Sequence, residues 1–326
     1  MKAVLLTRIG GITDLQYTSV PLPRPKQGEV LVKVLYCGIN HLDLHIITGK
    51  RPGPQHFPHI LGSEIVGEVD GDTVAVFPWT FCGKCKPCQK GDMQICDIGG
   101  TLGRTRWGGY AEYVVVPEKN IIKIPQNVSL EDVCSITLAG TTAYHLIKRA
   151  GIRDKSTVLV TGTTGGVGTA VIQLLKQKQC HIICTTSHPN KIKELKKLSV
   201  AKIVLVKDMV SLLTDYPSGV DYAIDIAGGS IWSNALQLLS KNGTIVFCAT
   251  SRLETGIVNI AQAFSKQWNI LGSYGGSIED CKAVLKLLAK GAIHPQIDSV
   301  YPLSDAQKAL EKIEKQEQFG KILLKI

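Results

Sequence analysis

Thr157-Val-Leu-Val-Thr161, followed at once by Gly162-Thr-Thr-Gly-Gly-Val-Gly168, decides the fold of this 326-residue chain. The first segment is apolar without alternation, the pattern of a strand buried on both faces. After it Val167, Ala170, Val171, Leu174 and Leu175 recur at helical spacing. The glycines between them therefore sit in a tight turn from a strand into a helix. Such a turn offers backbone N–H groups and the positive end of a helix dipole to an anion, and it lets a pyrophosphate approach the main chain closely. The context makes the glycine pattern specific. It predicts a dinucleotide site built from Thr163, Gly165, Gly166 and Val167.

Reading outward toward the C-terminus, strands and helices keep alternating. His181–Thr185 is a second strand, and Pro189 opens a second helix at a position proline favours. Further strands are predicted at 202–206, 220–225, 244–249 and 269–273. Alternation of this kind gives a doubly wound parallel sheet of the Rossmann type, with helices on both faces. The end of the second strand selects the cofactor. An NAD site places an acid there for the adenosine ribose, but this chain reads Thr185-Thr-Ser-His-Pro-Asn-Lys191. Ser187 can donate to a 2′-phosphate and Lys191 can neutralise it, so NADP(H) is expected rather than NAD(H). The alternative for Lys191 is a solvated helix face, because Lys191-Ile-Lys-Glu-Leu-Lys-Lys197 has helical spacing.

Toward the N-terminus the rhythm changes to short strands broken by Gly and Pro. Segments 29–36, 64–69, 73–77 and 113–117 read as strands of a mostly antiparallel, barrel-like domain, and Gly320-Lys-Ile-Leu-Leu-Lys-Ile326 reads as a last strand returning to it. The expected division is α/β: residues 1–123 with 292–326 form the β-rich domain, and 124–291 the dinucleotide-binding domain. The net charge of +10 is dispersed and no basic-aromatic motif accompanies it, so a nucleic-acid partner is not expected. No apolar run reaches the roughly 18 residues that span a bilayer. The N-terminal apolar run is a strand rather than a signal peptide, so a cytoplasmic location without membrane association is expected.

Cys82-Gly-Lys-Cys-Lys-Pro-Cys88 and Cys96 lie within a lobe at about residues 80–100. Four thiolates at this spacing satisfy a tetrahedral zinc ion and leave no open coordination position, so the ion would be structural. Nearby Lys84, Lys86 and Lys90 would offset the charge of the thiolates. Free cysteines and an iron–sulfur cluster are the alternatives, but free cysteines rarely crowd so closely along a chain and no second cysteine set accompanies a cluster.

With these signals placed, the whole chain resembles the medium-chain dehydrogenase/reductase superfamily. The resemblance includes the cysteine lobe, Gly108-Gly-Tyr-Ala-Glu-Tyr113, Ala139-Gly-Thr-Thr-Ala-Tyr144, the glycine turn, Asp225-Ile-Ala-Gly-Gly229 and Gly320-Lys321. It implies a GroES-like catalytic domain beside the Rossmann domain, with Gly228 and Lys321 also at the cofactor, and a homodimer or homotetramer. The zinc alcohol dehydrogenase branch holds a second, catalytic zinc. Its ligand positions are occupied here by Asn40, Ser63 and Leu138, and Glu64 alone is retained. Cys37 reads as core rather than ligand, and His41, His45 and His59 are the residues that could rebuild a site. The quinone oxidoreductase and enone reductase branch carries a segment similar to Gly38-Ile-Asn40 with Asp43, usually uses NADPH and lacks the catalytic zinc.

Hydride transfer to an enone or quinone needs no strong Lewis acid. The expectation is an NADP(H)-dependent oxidoreductase acting on a small quinone, enone or enoyl substrate. Asn40 is expected to orient ribose or substrate, Asp43 to act beside it or hold a structural hydrogen bond, and Thr142 to face the nicotinamide. Two alternatives remain: a zinc alcohol dehydrogenase with a rebuilt site, and a cofactor-binding protein without catalysis.

Overall fold

The computed structural model describes residues 1–51, 53–54, 56–248 and 255–326. From the N-terminus run β1 (Lys2–Leu6), β2 (Leu15–Ser19), β3 (Glu29–Gly38), α1 (His41–Ile47), β4 (His59–Ile60), β5 (Glu64–Val69), β6 (Asp72–Val76), β7 (Trp79–Thr80), α2 (Lys86–Gln89), β8 (Gly100–Thr101), β9 (Tyr113–Pro117), β10 (Ile121–Lys123), α3 (Leu130–Cys134) and α4 (Ala139–Ala150). There follow β11 (Thr157–Val160), α5 (Gly166–Gln177), β12 (His181–Thr186), α6 (Ile192–Lys197), β13 (Lys202–Leu205), α7 (Leu212–Asp215), β14 (Val220–Asp225), α8 (Ile231–Gln237), β15 (Leu239–Phe247), α9 (Ile260–Ser265) and β16 (Asn269–Gly272). The chain closes with α10 (Ile278–Ala289), β17 (Ile297–Pro302), α11 (Ala306–Glu314) and β18 (Lys321–Lys325).

Two compact units result, Met1–Thr141 with Gly276–Ile326, and Thr142–Gly275. The first is larger than the predicted 1–123 with 292–326. α3 packs on β3 and β5, and α10 packs on α3, so both helices belong with the β-rich unit. Its main sheet has the order β10-β6-β5-β3-β18-β17, with β9 also on β3. All its pairings are antiparallel except β17 with β18. β3 is the hub. Its first half pairs with β9 and its second half with β5 and β18, and its register shifts between Val34 and Tyr36. The end of β3 therefore lies between the start of β5 and the start of β18. Val32, Val34, Cys37, Ile65, Val76, Val114 and Ile322 contribute to the buried core of this unit. Cys37 is fully buried there, as expected.

The second unit is a six-stranded parallel sheet in the order β13-β12-β11-β14-β15-β16. The chain steps outward from β11 to β13, then crosses to β14 on the other side, which is the order of a Rossmann sheet. The reversal leaves a crevice at the C-terminal ends of β11 and β14, where this architecture places its ligand. Leu159, Ile183, Ala223, Trp232 and Ile245 fill the core on this side.

The predicted strands are present with their ends moved by a residue or two, apart from β15. That strand starts five residues earlier than predicted, at Leu239, while Ala249, its predicted end, falls outside the described residues. The buried face of α5 is Gly168, Thr169, Val171, Ile172, Leu174 and Leu175, so Val167 and Ala170 lie at its margin rather than its centre. Contact of Gly168 with the preceding turn fixes that rotation. No described helix is long and apolar enough to cross a membrane.

Candidate functional site

In the second unit the glycine turn has the geometry of an anion cradle. Gly165 caps α5 in an extended conformation, and a side chain built there would meet nothing within 4 Å. Gly168 is the opposite case. A Cβ at this position would lie 2.3 Å from the Gly162 carbonyl oxygen, so only glycine lets the helix sit this close to its strand. Thr163 is buried, and its hydroxyl donates to the Thr185 carbonyl at 2.8 Å, tying the turn to the end of β12. Across the crevice Thr161 Oγ1 donates to Asp225 Oδ1 at 2.5 Å, and that oxygen also accepts from the N–H groups of Ala227 and Gly228 at 3.1 and 2.9 Å. Gly228 is thus fixed beside the turn. Ser187 is exposed at the end of β12, whereas Lys191 is only 5% exposed, which removes its reading as a solvated helix residue. Thr142 is buried within α4.

In the first unit the junction of β3, β5 and β18 encloses a buried polar cluster. Lys321 Nζ lies 2.5 Å from Glu64 Oε2, 2.7 Å from the Ile39 carbonyl oxygen and 2.9 Å from Asn40 Oδ1. Lys321 is 4% exposed and Glu64 is fully buried. Glu64 Oε2 also accepts from Asn40 Nδ2 at 3.3 Å, while Oε1 accepts from the N–H groups of Leu138 and Ala139 at 2.9 and 3.0 Å. An ammonium offers three donors and a carboxylate about four acceptor sites, so both ions are saturated. Asp43, also fully buried, accepts from Asn40 N at 2.8 Å and from Tyr110 Oη at 2.9 Å. Burial pushes the Asp43 carboxyl up to about 6, against the opposing pull of those two donors and Lys321.

The cysteine lobe brings its four sulfurs within 4.8 Å of one another. The Cys85–Cys96 and Cys82–Cys88 separations are 3.7 and 4.0 Å. A tetrahedron of sulfurs about 2.3 Å from a central zinc has edges of about 3.8 Å, so the donor set fits the ion. Cys82 Sγ accepts from the N–H groups of Lys84 and Cys85, which lower its thiol to about 6, and Cys96 Sγ accepts from Cys82 N at 3.2 Å. These donors suit thiolates. Among the described residues no other group of three or more His, Cys, Asp or Glu side chains is placed to share a metal ion.

Comparison with known proteins places this architecture. Residues 26–126 match the model of the alcohol dehydrogenase GroES-like domain, and residues 166–290 that of the zinc-binding dehydrogenase. The chain is 31% identical over 348 residues to an NAD-dependent alcohol dehydrogenase of Sulfolobus acidocaldarius, with both chains fully covered. It is 30% identical over 342 residues to an alcohol dehydrogenase of Geobacillus stearothermophilus, covering 100% of this chain and 99% of that one. A cobalt- and zinc-bound thermostable alcohol dehydrogenase from Pyrobaculum aerophilum superimposes with a TM-score of 0.92 at 29% identity, covering 100% of this chain and 99% of that one. This chain belongs to the zinc-type alcohol dehydrogenase family of the medium-chain dehydrogenase/reductases. It is an oxidoreductase with a GroES-like domain and a Rossmann domain.

The residues at the three positions where the resemblance expects zinc ligands make other contacts. Asn40 caps α1 just beyond the end of β3. Its amide group bonds Gly38, Glu64 and Lys321, so Asn40 is a positioning residue. Ser63 donates to the Leu102 carbonyl at 2.6 Å. Leu138 offers only its backbone N–H to Glu64. His41, His45 and His59 form no metal group with Glu64. Lys321, expected at the cofactor, bonds Ile39, Asn40 and Glu64. Asp43 takes the structural role, and its partner Tyr110 went unforeseen because it lies 67 residues away in sequence.

Two tests follow from this geometry. Replacing Cys96 by Ser removes one sulfur of the lobe and should lower the melting temperature by roughly 5–15 °C; an unchanged transition, insensitive to chelator, would remove the metal from the lobe. Asp43 has a folded-state value above its ordinary 3.8, so its contribution to stability is fully present below that value and is lost as pH rises toward about 6. Burial lowers His59 to about 4, which works in the opposite direction over the same range, so the wild-type curve alone cannot isolate either group. The stability of Asp43→Asn relative to wild type should therefore rise between pH 4 and pH 7 by on the order of 3 kcal/mol. A pH-independent difference in denaturant midpoints would show that Asp43 is not the group responsible.

Proposed function

We propose that this protein is an NADP(H)-dependent reductase of small carbonyl-conjugated substrates, of the quinone, enone or enoyl type, working without a second zinc. One observation carries the reading. Three positions that would ligate a catalytic zinc hold Asn40, Ser63 and Leu138, and the remaining carboxylate, Glu64, has its acceptor sites filled by Lys321, Asn40 and two backbone N–H groups. A catalytic zinc takes about three protein ligands, and this donor set does not fit one. A bound nicotinamide supplies or accepts hydride. The chain's own part is to hold the pyrophosphate at Gly165, Gly166 and Val167, to exclude water, and to offer polar groups to the substrate oxygen.

The preference for NADP(H) is supported by the end of β12, which has no acid but carries an exposed Ser187 and a buried Lys191. The relative from Sulfolobus acidocaldarius is named NAD-dependent, so the cofactor is the point at which this chain is proposed to differ. The names of its relatives favour a second reading, oxidation of alcohols. Copies of the chain are proposed to pair, as a homodimer or homotetramer. α9 buries none of its residues and leaves Ile260 and Phe264 bare beside the edge strand β16, an apolar patch of the kind that a second copy covers.

The test is consumption of NADPH with cyclohex-2-enone, a benzoquinone and an enoyl thioester, set against reduction of NADP⁺ and NAD⁺ by simple alcohols. The expected result is turnover of at least one conjugated acceptor and none of the alcohols. Turnover of alcohols alone would overturn the reading in favour of the second, and binding of NADPH without turnover of any substrate would leave a cofactor-binding protein. Lys191→Ala should raise the KM for NADPH roughly ten- to hundred-fold and leave that for NADH unchanged, because NADH carries no 2′-phosphate for the ammonium to pair with. Equal effects on both cofactors would assign Lys191 to packing.

A further inference from the structure

The four cysteines of the lobe are not equivalent. Cys82 Sγ accepts from the N–H groups of Lys84 and Cys85 at 3.4 and 3.2 Å, Cys96 Sγ from Cys82 N at 3.2 Å, and Cys88 Sγ from Gly83 N. Cys85 Sγ accepts no backbone N–H among the described residues. A donated hydrogen bond stabilises negative charge on sulfur and lowers its nucleophilicity. Cys85 therefore keeps the most nucleophilic sulfur of the set. It is also half-buried, whereas Cys88 is only 6% exposed.

Cys96, likewise half-buried, places its Sγ 3.7 Å from Cys85 Sγ, against 4.0 Å between Cys82 and Cys88. A disulfide is about 2.05 Å long, so each sulfur of the Cys85–Cys96 pair would move by less than about 1 Å to form one. Cys85 is the N-cap of α2 and Cys96 follows the short turn 93–95, so neither side chain lies inside a regular helix. The base of the lobe is held without the sulfurs. β7 pairs with β8, and Asn120 Nδ2 donates to the Phe77 and Trp79 carbonyls at 2.7 and 2.9 Å. Chemistry at the sulfurs leaves that anchorage in place.

We propose that Cys85 and Cys96 form a reversible oxidative modification site that reacts with hydroperoxides, and that their oxidation releases the zinc ion of the lobe. The Cys85 thiolate attacks one peroxide oxygen. The O–O bond breaks, an S–O bond forms, and the other oxygen leaves as hydroxide or alkoxide. The Cys96 thiolate then attacks the Cys85 sulfur, the S–S bond forms, and the S–O bond breaks with loss of hydroxide. Solvent protonates both leaving groups. The two sulfurs together lose two electrons, and the peroxide is reduced to water, or to water and an alcohol. Cys82 and Cys88 alone remain as thiolates, short of the four ligands that a structural zinc takes. Exchange with a small thiol reverses the disulfide. The site is independent of which substrate the protein reduces.

The experiment titrates the full-length, zinc-loaded protein with hydrogen peroxide in the absence of thiols. Released zinc is read with the chromogenic chelator 4-(2-pyridylazo)resorcinol, and disulfides are located by mass spectrometry of unreduced peptides. About one equivalent of peroxide should release about one zinc per chain and link Cys85 to Cys96, before Cys180 or any other thiol outside the lobe is modified. Glutathione with added zinc should restore the thiols and the metal content. In Cys96→Ser the second sulfur is missing, so dimedone should trap Cys85 as its sulfenic acid. If Cys96→Ser does not fold, dimedone added to wild type early in the reaction identifies the first sulfur attacked. Zinc release without a disulfide, a first link between Cys82 and Cys88, or a lobe that keeps its zinc while other cysteines oxidise overturns the proposal. A protein that holds no zinc before peroxide is added would remove the metal from the lobe and the proposal with it.

Discussion

The first unit depends on one buried ion pair. Lys321 and Glu64 meet where the end of β3 lies between the starts of β5 and β18, and each is saturated by neighbours. Removing two charges from water costs more than their attraction returns unless every remaining donor and acceptor is matched. Here the matching comes from backbone groups of Ile39, Leu138 and Ala139 and from the Asn40 amide. The pair therefore fixes the register in which β18 returns to β3, and with it the conformation of Gly38-Ile39-Asn40. It also fills the acceptor sites of Glu64, on which the proposed metal-free chemistry rests.

The second unit rests on a steric constraint rather than an electrostatic one. Gly168 allows α5 to approach the turn, and the Thr161–Asp225 hydrogen bond knits that turn to the loop after β14. The N–H groups at the start of α5 are held in place before any ligand arrives, so binding an anion there requires little reorganisation. The two units thus show different ways of preparing a site, one by saturating charges and the other by excluding side chains.

Features that repeat locally were legible in the sequence. The β11–turn–α5 segment, the alternation after it and the four cysteines each declare themselves within a few tens of residues, because strand period, helix period and ligand spacing are local properties. The buried cluster was not legible. Glu64, Tyr110, Asp43 and Lys321 come from four distant segments, and only the folded sheet brings them together. The buried face of α5 was legible at Val171, Leu174 and Leu175, and Gly168, Thr169 and Ile172 complete it. Lys191 shows a subtler limit. Its helical charge pattern reads as a solvated surface, but the short turn at 189–191 precedes the regular helix and buries it.

The central claim is that this fold performs hydride transfer with its second metal site replaced. Zinc content per chain, measured by elemental analysis after washing the active protein with a mild chelator, tests that claim most directly. The account predicts one zinc per chain, held by Cys82, Cys85, Cys88 and Cys96, with activity undiminished by the wash. Two zinc ions per chain, with activity lost as the second is removed, would contradict it.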